Sequence, residues 1–175
     1  MTIKTIFLDR DGVINKEIGY LHKIEDFKFI NGVFEACQHY EQLGYKIVIV
    51  TNQSGISRGY YSEDDFRNIT DWMITQFNKN NIQILDTFHC PHSPISKCDC
   101  RKPKPGMLLE AKKKYNINML ESWMIGDSER DISAANLAGI KNTILVRSGH
   151  KINEVNSNAT FFLDSIIQTN QIILK

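Results

Sequence analysis

The stretch IKTIFLDRDGVIN, residues 3–15, decides how the rest of the chain is read. Residues 3–9, IKTIFLD, are β-branched and apolar almost without a break, the pattern of a strand buried on both faces of a parallel sheet. The polar text that follows turns at Gly12. Asp9 and Asp11 lie two residues apart at the strand's exit, where an extended register aims both side chains the same way. Two neighbouring carboxylates either share a proton or hold a cation, and each route separates their roles. Asp9 reads as a nucleophile kept ionised by a metal and a nearby lysine. Asp11 reads as the acid that protonates a leaving alcohol and then the base that deprotonates attacking water. Taken alone, DRDG also fits a solvated turn rich in Asp.

Working outward, KIVIVT at 46–51 repeats the buried-strand pattern. Between the two strands, NGVFEACQHYEQLG places Val33, Phe34, Cys37 and Tyr40 at helical spacing and stops at Gly44, completing one βαβ unit. Ser62 to Asn78 predicts a second helix, with Ser62 and Asp65 as a capping box and Phe66, Ile69, Met73, Ile74 and Phe77 on one face. A strand follows around DTFHC, then a helix near 106–116, a strand SWMIG, a helix over 129–138 ended by Gly139, and strands near NTILVR and TFFL. A terminal helix closes the chain. Strands alternating with helices throughout predict an α/β fold, a Rossmann-like, doubly wound, mostly parallel sheet flanked by helices, with its site outside the carboxyl ends of the strands. With no repeat, linker or low-complexity block, residues 1–175 read as a single domain, and KINEVNSNAT (151–160) reads as a polar connector without chemistry.

The composition fits that reading, at 42% hydrophobic and 23% charged over 175 residues. Lys and Arg number 21 against 20 Asp and Glu, a net charge of +1, so no global field argues for nucleic acid or an anionic membrane. No segment approaches the roughly 18 uninterrupted apolar residues of a membrane span, and the N-terminal apolar run is too short for a secretory signal. A cytoplasmic protein, a monomer with a small-molecule partner, is the expectation.

The remaining strand ends are TNQSG (51–55), CDCRKPKPG (98–106) and GDSERD (126–131). Thr51 and Asn52 enter a Gly-containing turn and supply a hydroxyl, an amide and backbone N–H groups suited to phosphate oxygens, though this is also ordinary loop chemistry. Lys102 offers a cation for a transferring phosphoryl group. Asp127 would complete an oxygen-ligand Mg²⁺ site with Asp9, while Asp131 would orient that site or merely cap the helix.

Three of the four cysteines crowd into residues 90–100. Cys90-x-His92 and Cys98-x-Cys100 are two ligand clips that suit tetrahedral Zn²⁺, and a closed four-ligand set implies a structural metal; buried reduced thiols and a redox pair are the alternatives. A short loop has little apolar area with which to fix Arg101 and Lys102, and a metal clip would do so directly. Cys37, on the apolar face of a helix, reads as core.

The order DxDG, strand-end Thr, Lys and GDxxxD resembles the haloacid dehalogenase (HAD) superfamily of Mg²⁺-dependent aspartyl phosphotransferases. Little room remains for the superfamily's inserted caps, so the resemblance implies a capless member; Asp11, where related ATPases carry Thr, implies a phosphatase whose Asp11 backbone carbonyl also binds Mg²⁺. From Ile6 to Arg147, FLDRDGVIN, TNQSGISRG, CPH…CDCRKPKPGM and IGD are similar to the D-glycero-D-manno-heptose-1,7-bisphosphate phosphatases, with histidinol-phosphate phosphatases as nearest relatives. The resemblance implies removal of the C7 phosphate, leaving the 1-phosphate for nucleotide-activated heptose and surface polysaccharide. It implies substrate contacts from Glu17, Ile18, Gly19 and Tyr20, from Thr51, Asn52, Gln53 and Ser54, and from Arg101, with Lys102 stabilising the phosphoryl group.

The turn Ser54-Gly55-Ile56-Ser57-Arg58-Gly59 follows the heptose enzymes, whereas histidinol phosphatases tend to be acidic after the Gln. A second phosphate suits Arg101 and Arg58 better than an ammonium substrate would. Ser128 departs from the heptose pattern, which often has Lys there, and Arg130 is the candidate to compensate. The favoured anomer and the ADP or GDP branch are left open. A nucleic-acid 3′-phosphatase would use the same DxD chemistry, but near-neutral charge and no aromatic stacking platform disfavour it. A zinc-stabilised binding module without turnover is disfavoured by the presence of all five groups, Asp9, Asp11, Thr51, Lys102 and Asp127.

Overall fold

The computed structural model describes residues 2–174. Six strands form one sheet in the order β3-β2-β1-β4-β5-β6, every pairing parallel: β1 (Thr5–Leu8), β2 (Lys46–Asn52), β3 (Ile84–Cys90), β4 (Trp123–Gly126), β5 (Asn142–Val146) and β6 (Phe161–Leu163). The four helices are α1 (Val33–Gln42), α2 (Glu63–Lys79), α3 (Gly106–Tyr115) and α4 (Glu129–Ala138).

Strand alternation sorts the core into two layers. Ile6 and Leu8 of β1, with Ile47 and Ile49 of β2, pack on α1 and α2 through Val33, Ile69, Met73 and Phe77. Phe7, Val48, Val50 and Met124 face the other way, onto Met107, Leu108 and Ala111 of α3 and Ala134, Ala135 and Ala138 of α4. Both faces of the central strands are therefore apolar, which is why their sequences are continuous rather than alternating.

The chain leaves β1 for β2 and β3 on one side, then crosses to β4, β5 and β6 on the other. The order reverses between β1 and β4, and the crevice at such a switch point is where ligands bind in open α/β sheets. The register pairs Leu8 with Ile125, and Asp9 N donates to Ile125 O at 3.0 Å. Asp9 and Asp127 thus emerge side by side because their strands are neighbours.

The capping box of α2 forms as expected between Ser62 and Asp65, and a second, Ser128 with Asp131, starts α4. Only residues 9–32, 53–62 and 91–105 connect the first three strands to their helices, with no folded unit inserted among them beyond one 3-10 turn at Ile24–Asp26. The expected terminal helix is instead a 3-10 stretch, Ile166–Gln171. It is short, starts without a side-chain cap, and is held by docking on α1, where Tyr40 hydrogen-bonds Thr169 and Ile167 lies over Gly32. The 151–160 segment is more than a connector: it contains a 3-10 turn, Glu154–Asn156, and its end is tied to α4 as Ser157 Oγ and Asn158 N donate to Glu129. Among the described residues no helix is long and apolar enough to cross a membrane.

Candidate active site

The first aspartate leaves β1 beside Lys102, which is 2% exposed. Lys102 Nζ donates to Val50 O at 2.7 Å and ion-pairs with Asp9 Oδ1 at 3.0 Å and Asp131 Oδ1 at 2.6 Å. A buried ammonium needs such saturation, because desolvation alone would neutralise it. Burial does pull the Lys102 pKa down, but the two carboxylates outweigh it and raise the value above the ordinary lysine range. Burial pushes the Asp9 carboxyl up to about 7 against the pull of Lys102, with Asp131 and Asp11 adding like charge.

Asp127 is fully buried. Its Oδ2 accepts from the His150 backbone N–H at 2.9 Å and lies 2.6 Å from His150 Nδ1, whereas Oδ1 is buried without a hydrogen-bond partner among the described residues. The backbone closes tightly here: Gly12, at φ +84°, would place a Cβ 2.2 Å from Asp127 Oδ2, and Gly149 would place one 1.9 Å away. Neither position tolerates a side chain while Asp127 stays put.

Oxygens of Asp9, Asp127 and Asp131 lie within 4.8 Å of one another. Three carboxylates against the single Lys102 ammonium leave two negative charges in a buried space, and Asp127 Oδ1 lacks a partner. Both features fit a divalent, oxygen-ligated cation such as Mg²⁺. The structure brings Asp131, rather than the Asp11 side chain, into this carboxylate cluster. Asp131 caps α4, one of the two roles expected of it, and it also ion-pairs with Lys102.

The Asp11 side chain is spoken for by other groups. Arg10, 1% exposed, chelates it through Nε and Nη2 at 3.2 and 3.0 Å. Asn15 Nδ2 donates to Oδ1 at 2.9 Å and Gln53 Nε2 to Oδ2 at 3.1 Å. Gln53, also buried, donates its other N–H to Thr51 Oγ1 at 2.8 Å and accepts from Tyr61 OH at 2.5 Å. Gln53 therefore ties Thr51 and Asp11 together rather than offering a free amide. Asn52 is similarly committed: its Oδ1 accepts from Lys102 N and its Nδ2 donates to Lys102 O, both at 3.0 Å, clamping the Lys102 backbone to β2.

Two cavities open from this cluster. A small inner one, about 60 Å³, is walled by Asp9, Asp11, Thr51, Lys102, Asp131 and Arg130. An outer one, about 280 Å³, shares Asp11, Glu17, Asn52, Arg130 and His150 with it and is otherwise lined by Gly19, Tyr20, Gln53, Ser54, Tyr61 and Arg101. Ile18 lines neither and is 54% exposed. Burial and the Asp11 charge raise the Glu17 pKa.

Cys90, His92, Cys98 and Cys100 come together as one cluster. Cys90 Sγ lies 3.7 Å from Cys98 Sγ and 3.0 Å from Cys100 Sγ, and His92 Nδ1 lies 3.4 and 3.2 Å from Cys90 and Cys100. The edge of a tetrahedron with Zn–S bonds of about 2.3 Å is ~3.7 Å, so the four donors stand close to zinc-binding distance. This cluster begins at the end of β3 and runs directly into Arg101 and Lys102.

Residues that sequence reading passed over include Arg10, Tyr61 and His150. His150 carried a weak signal, since it lies in the polar loop after β5, at the same end of the sheet where Asp127 follows β4. Arg10 and Tyr61 carried none, because their partners are set by tertiary packing.

Residues 99–169 match the HAD-hydrolase-like family model. Over 90% of both chains, the protein is 49% identical to a D-glycero-alpha-D-manno-heptose-1,7-bisphosphate 7-phosphatase of Photorhabdus laumondii. A D-glycero-beta-D-manno-heptose-1,7-bisphosphate 7-phosphatase of Pasteurella multocida is 46% identical over 97% of this chain and 96% of its own. Among solved structures, the D,D-heptose 1,7-bisphosphate phosphatase of B. bronchiseptica, complexed with magnesium and phosphate, superposes with a TM-score of 0.86 at 28% identity over 97% of each chain. With a parallel sheet whose switch point carries paired carboxylates and a buried lysine, and with relatives this similar along almost its whole length, the chain belongs to the heptose-1,7-bisphosphate 7-phosphatase family of HAD-like hydrolases.

Proposed function

We propose that the protein hydrolyses the C7 phosphate of D-glycero-D-manno-heptose 1,7-bisphosphate through an aspartyl phosphate on Asp9, leaving the 1-phosphate for nucleotide activation. The observation that carries this reading is the switch-point cluster, in which Asp9 and Asp131 pair with Lys102 on the wall of the inner cavity and Asp127 lies beside the two carboxylates.

Asp9 holds its Arg10 N–H and Lys102 contacts on Oδ1, at 2.8 and 3.0 Å, which leaves Oδ2 to attack phosphorus. A P–O bond forms to Asp9 as the bond to the C7 oxygen breaks, and Asp11 supplies that oxygen's proton. Asp11 then takes a proton from water as the water oxygen attacks phosphorus, releasing inorganic phosphate and restoring Asp9. Arg10, Asn15 and Gln53 hold Asp11 in place for both steps. Lys102 and the Thr51 hydroxyl face the transferring oxygens from the cavity wall. Asp9, Asp127 and the Asp11 backbone carbonyl would hold Mg²⁺, with Asp131 beside them; when bound, the ion neutralises charge at the phosphoryl group. Cys90, His92, Cys98 and Cys100 would hold a structural Zn²⁺ that fixes Arg101 and Lys102. The same reading takes the enzyme to be a cytoplasmic monomer with a small sugar phosphate as its partner.

Relatives named for the alpha and for the beta anomer are both at similar identity. The test is therefore steady-state phosphate release from each anomer and from histidinol phosphate, with Mg²⁺ present. A large kcat/KM advantage for one heptose anomer is the expected result. Preference for histidinol phosphate would sink the substrate assignment.

A further inference from the structure

The hydrogen bonds around the Asp11 carboxylate all come from donors: Arg10 Nε and Nη2, Asn15 Nδ2 and Gln53 Nε2. A proton carried by Asp11 finds no acceptor among these partners and is left for the cavity. Thr51 Oγ1 accepts from the same Gln53 amide at 2.8 Å, which turns its own O–H away from Gln53, and Thr51 lines the inner cavity. One NH2 group therefore decides which way two catalytic side chains can give a proton or a hydrogen bond.

That amide has two ends of nearly equal shape. Turned by half a rotation, Gln53 would point its carbonyl at Asp11 and Thr51, accepting a proton held on the first and the O–H of the second. The group that opposes this turn is Tyr61, whose hydroxyl donates to Gln53 Oε1 at 2.5 Å. Gln53 is 2% exposed and Tyr61 7%, so both ends of the contact are shielded from water, where a lost partner is costly. Burial pushes the Tyr61 hydroxyl up to about 12, which keeps it a donor at neutral pH. Its ring is seated by packing: a Cβ at Gly55 would come within 2.1 Å of Tyr61 Cε1, and the His22 ring stacks on it at 5.2 Å and 11°. Tyr61 borders the outer cavity but not the inner one.

We propose that Tyr61 is a positioning residue of the reaction, whose hydroxyl fixes the polarity of the Gln53 amide so that Asp11 gives its proton to the leaving oxygen and Thr51 keeps its O–H for the phosphoryl group. This rests on the reading of Asp11 as the proton donor and deepens it. The hydroxyl acts through Gln53 alone, and it touches neither the nucleophile nor the carboxylate cluster.

The test compares kcat/KM, with Mg²⁺, on heptose 1,7-bisphosphate and on nitrophenyl phosphate in wild type, Tyr61→Phe and Asp11→Asn. A sugar alkoxide needs a proton to leave, whereas nitrophenolate does not. Tyr61→Phe keeps the ring and should fold. It is expected to lower kcat/KM about tenfold on the sugar ester and much less on the aryl ester, with Asp11→Asn giving the same pattern at larger amplitude. In a Gln53→Met background, Tyr61→Phe should add no further loss on the sugar ester. Equal losses on the two esters, no loss, or a full further loss in the Gln53→Met background would overturn the inference while leaving Asp11 as the proton donor. If Asp11→Asn affected both esters alike, Asp11 would not be that donor, and the reading would fall with the inference. Wild type active on the aryl ester alone would overturn the substrate assignment and the inference together.

Discussion

The molecule gathers metal-binding donors in two places, and they are built on opposite plans. At the β1/β4 switch point, Asp9, Asp127 and Asp131 are delivered by strand ends and a helix cap, and each is held by backbone or side-chain hydrogen bonds. In the 90–100 loop, Cys90, His92, Cys98 and Cys100 sit on a chain with almost no regular structure, and their nearest polar contacts are one another. The first site is organised by the sheet and carries more negative charge than Lys102 balances; the second has little regular structure to fix it, which is the role proposed above for zinc. The lesson is that Lys102 joins the two, since its tip is anchored by the sheet site, its backbone is clamped to β2 by Asn52, and it follows Cys100 by two residues.

The largest effect that would break this comparison is at the nucleophile. Asp9→Asn keeps the shape of the sheet site and should lower phosphate release by at least ~10³-fold with little change in Tm. Retained turnover in the purified variant would end the covalent mechanism. Next comes zinc removal. A chelator that strips zinc, with Mg²⁺ then restored in excess, should abolish turnover and remove hydrogen-exchange protection from residues 91–105, while β1, β2 and β4 stay protected. Full activity without zinc would show that the loop is organised by something else. Asn52→Ala sharpens the link between the two sites, because it deletes both hydrogen bonds to the Lys102 backbone. About tenfold loss of kcat is expected, along with ~1–3 kcal/mol of stability; a loss of stability alone would mean that zinc suffices to hold Lys102.

The smallest effect lies outside both sites. Partial burial raises the Asp86 carboxyl, but hydrogen bonds from Lys114, Tyr115 and Thr87 N–H outweigh it and hold the pKa below the usual value. A depressed acid stabilises above its unfolded pKa and loses that contribution as pH falls through the folded one. Asp86→Asn should therefore cost about 0.5–1 kcal/mol near neutral pH, and the difference should fade below about pH 4 in denaturant titrations. Turnover should be unaffected, since Asp86 borders neither catalytic cavity.

Much of this was legible in the sequence because the fold exposes its chemistry at strand ends. The buried runs of β1 and β2 and the polar residues after them were readable as strand and crevice without knowing any distance. The Cys/His donor cluster was readable because its four residues fall within eleven positions. Side-chain commitments were less accessible. Asn52 and Gln53 look like free amides for a substrate, yet both are used internally, and the partners of Gln53 span Asp11, Thr51 and Tyr61. The C-terminal stretch reads as helix by composition, but its form is set by docking on α1 through Thr169.

The most direct test of the central claim is ³¹P NMR of heptose 1,7-bisphosphate turning over with Mg²⁺. The account predicts that the C7 phosphate signal disappears as inorganic phosphate grows, that the C1 signal persists, and that Asp9→Asn abolishes the change. Loss of the C1 signal first, or turnover that survives in Asp9→Asn, would contradict it.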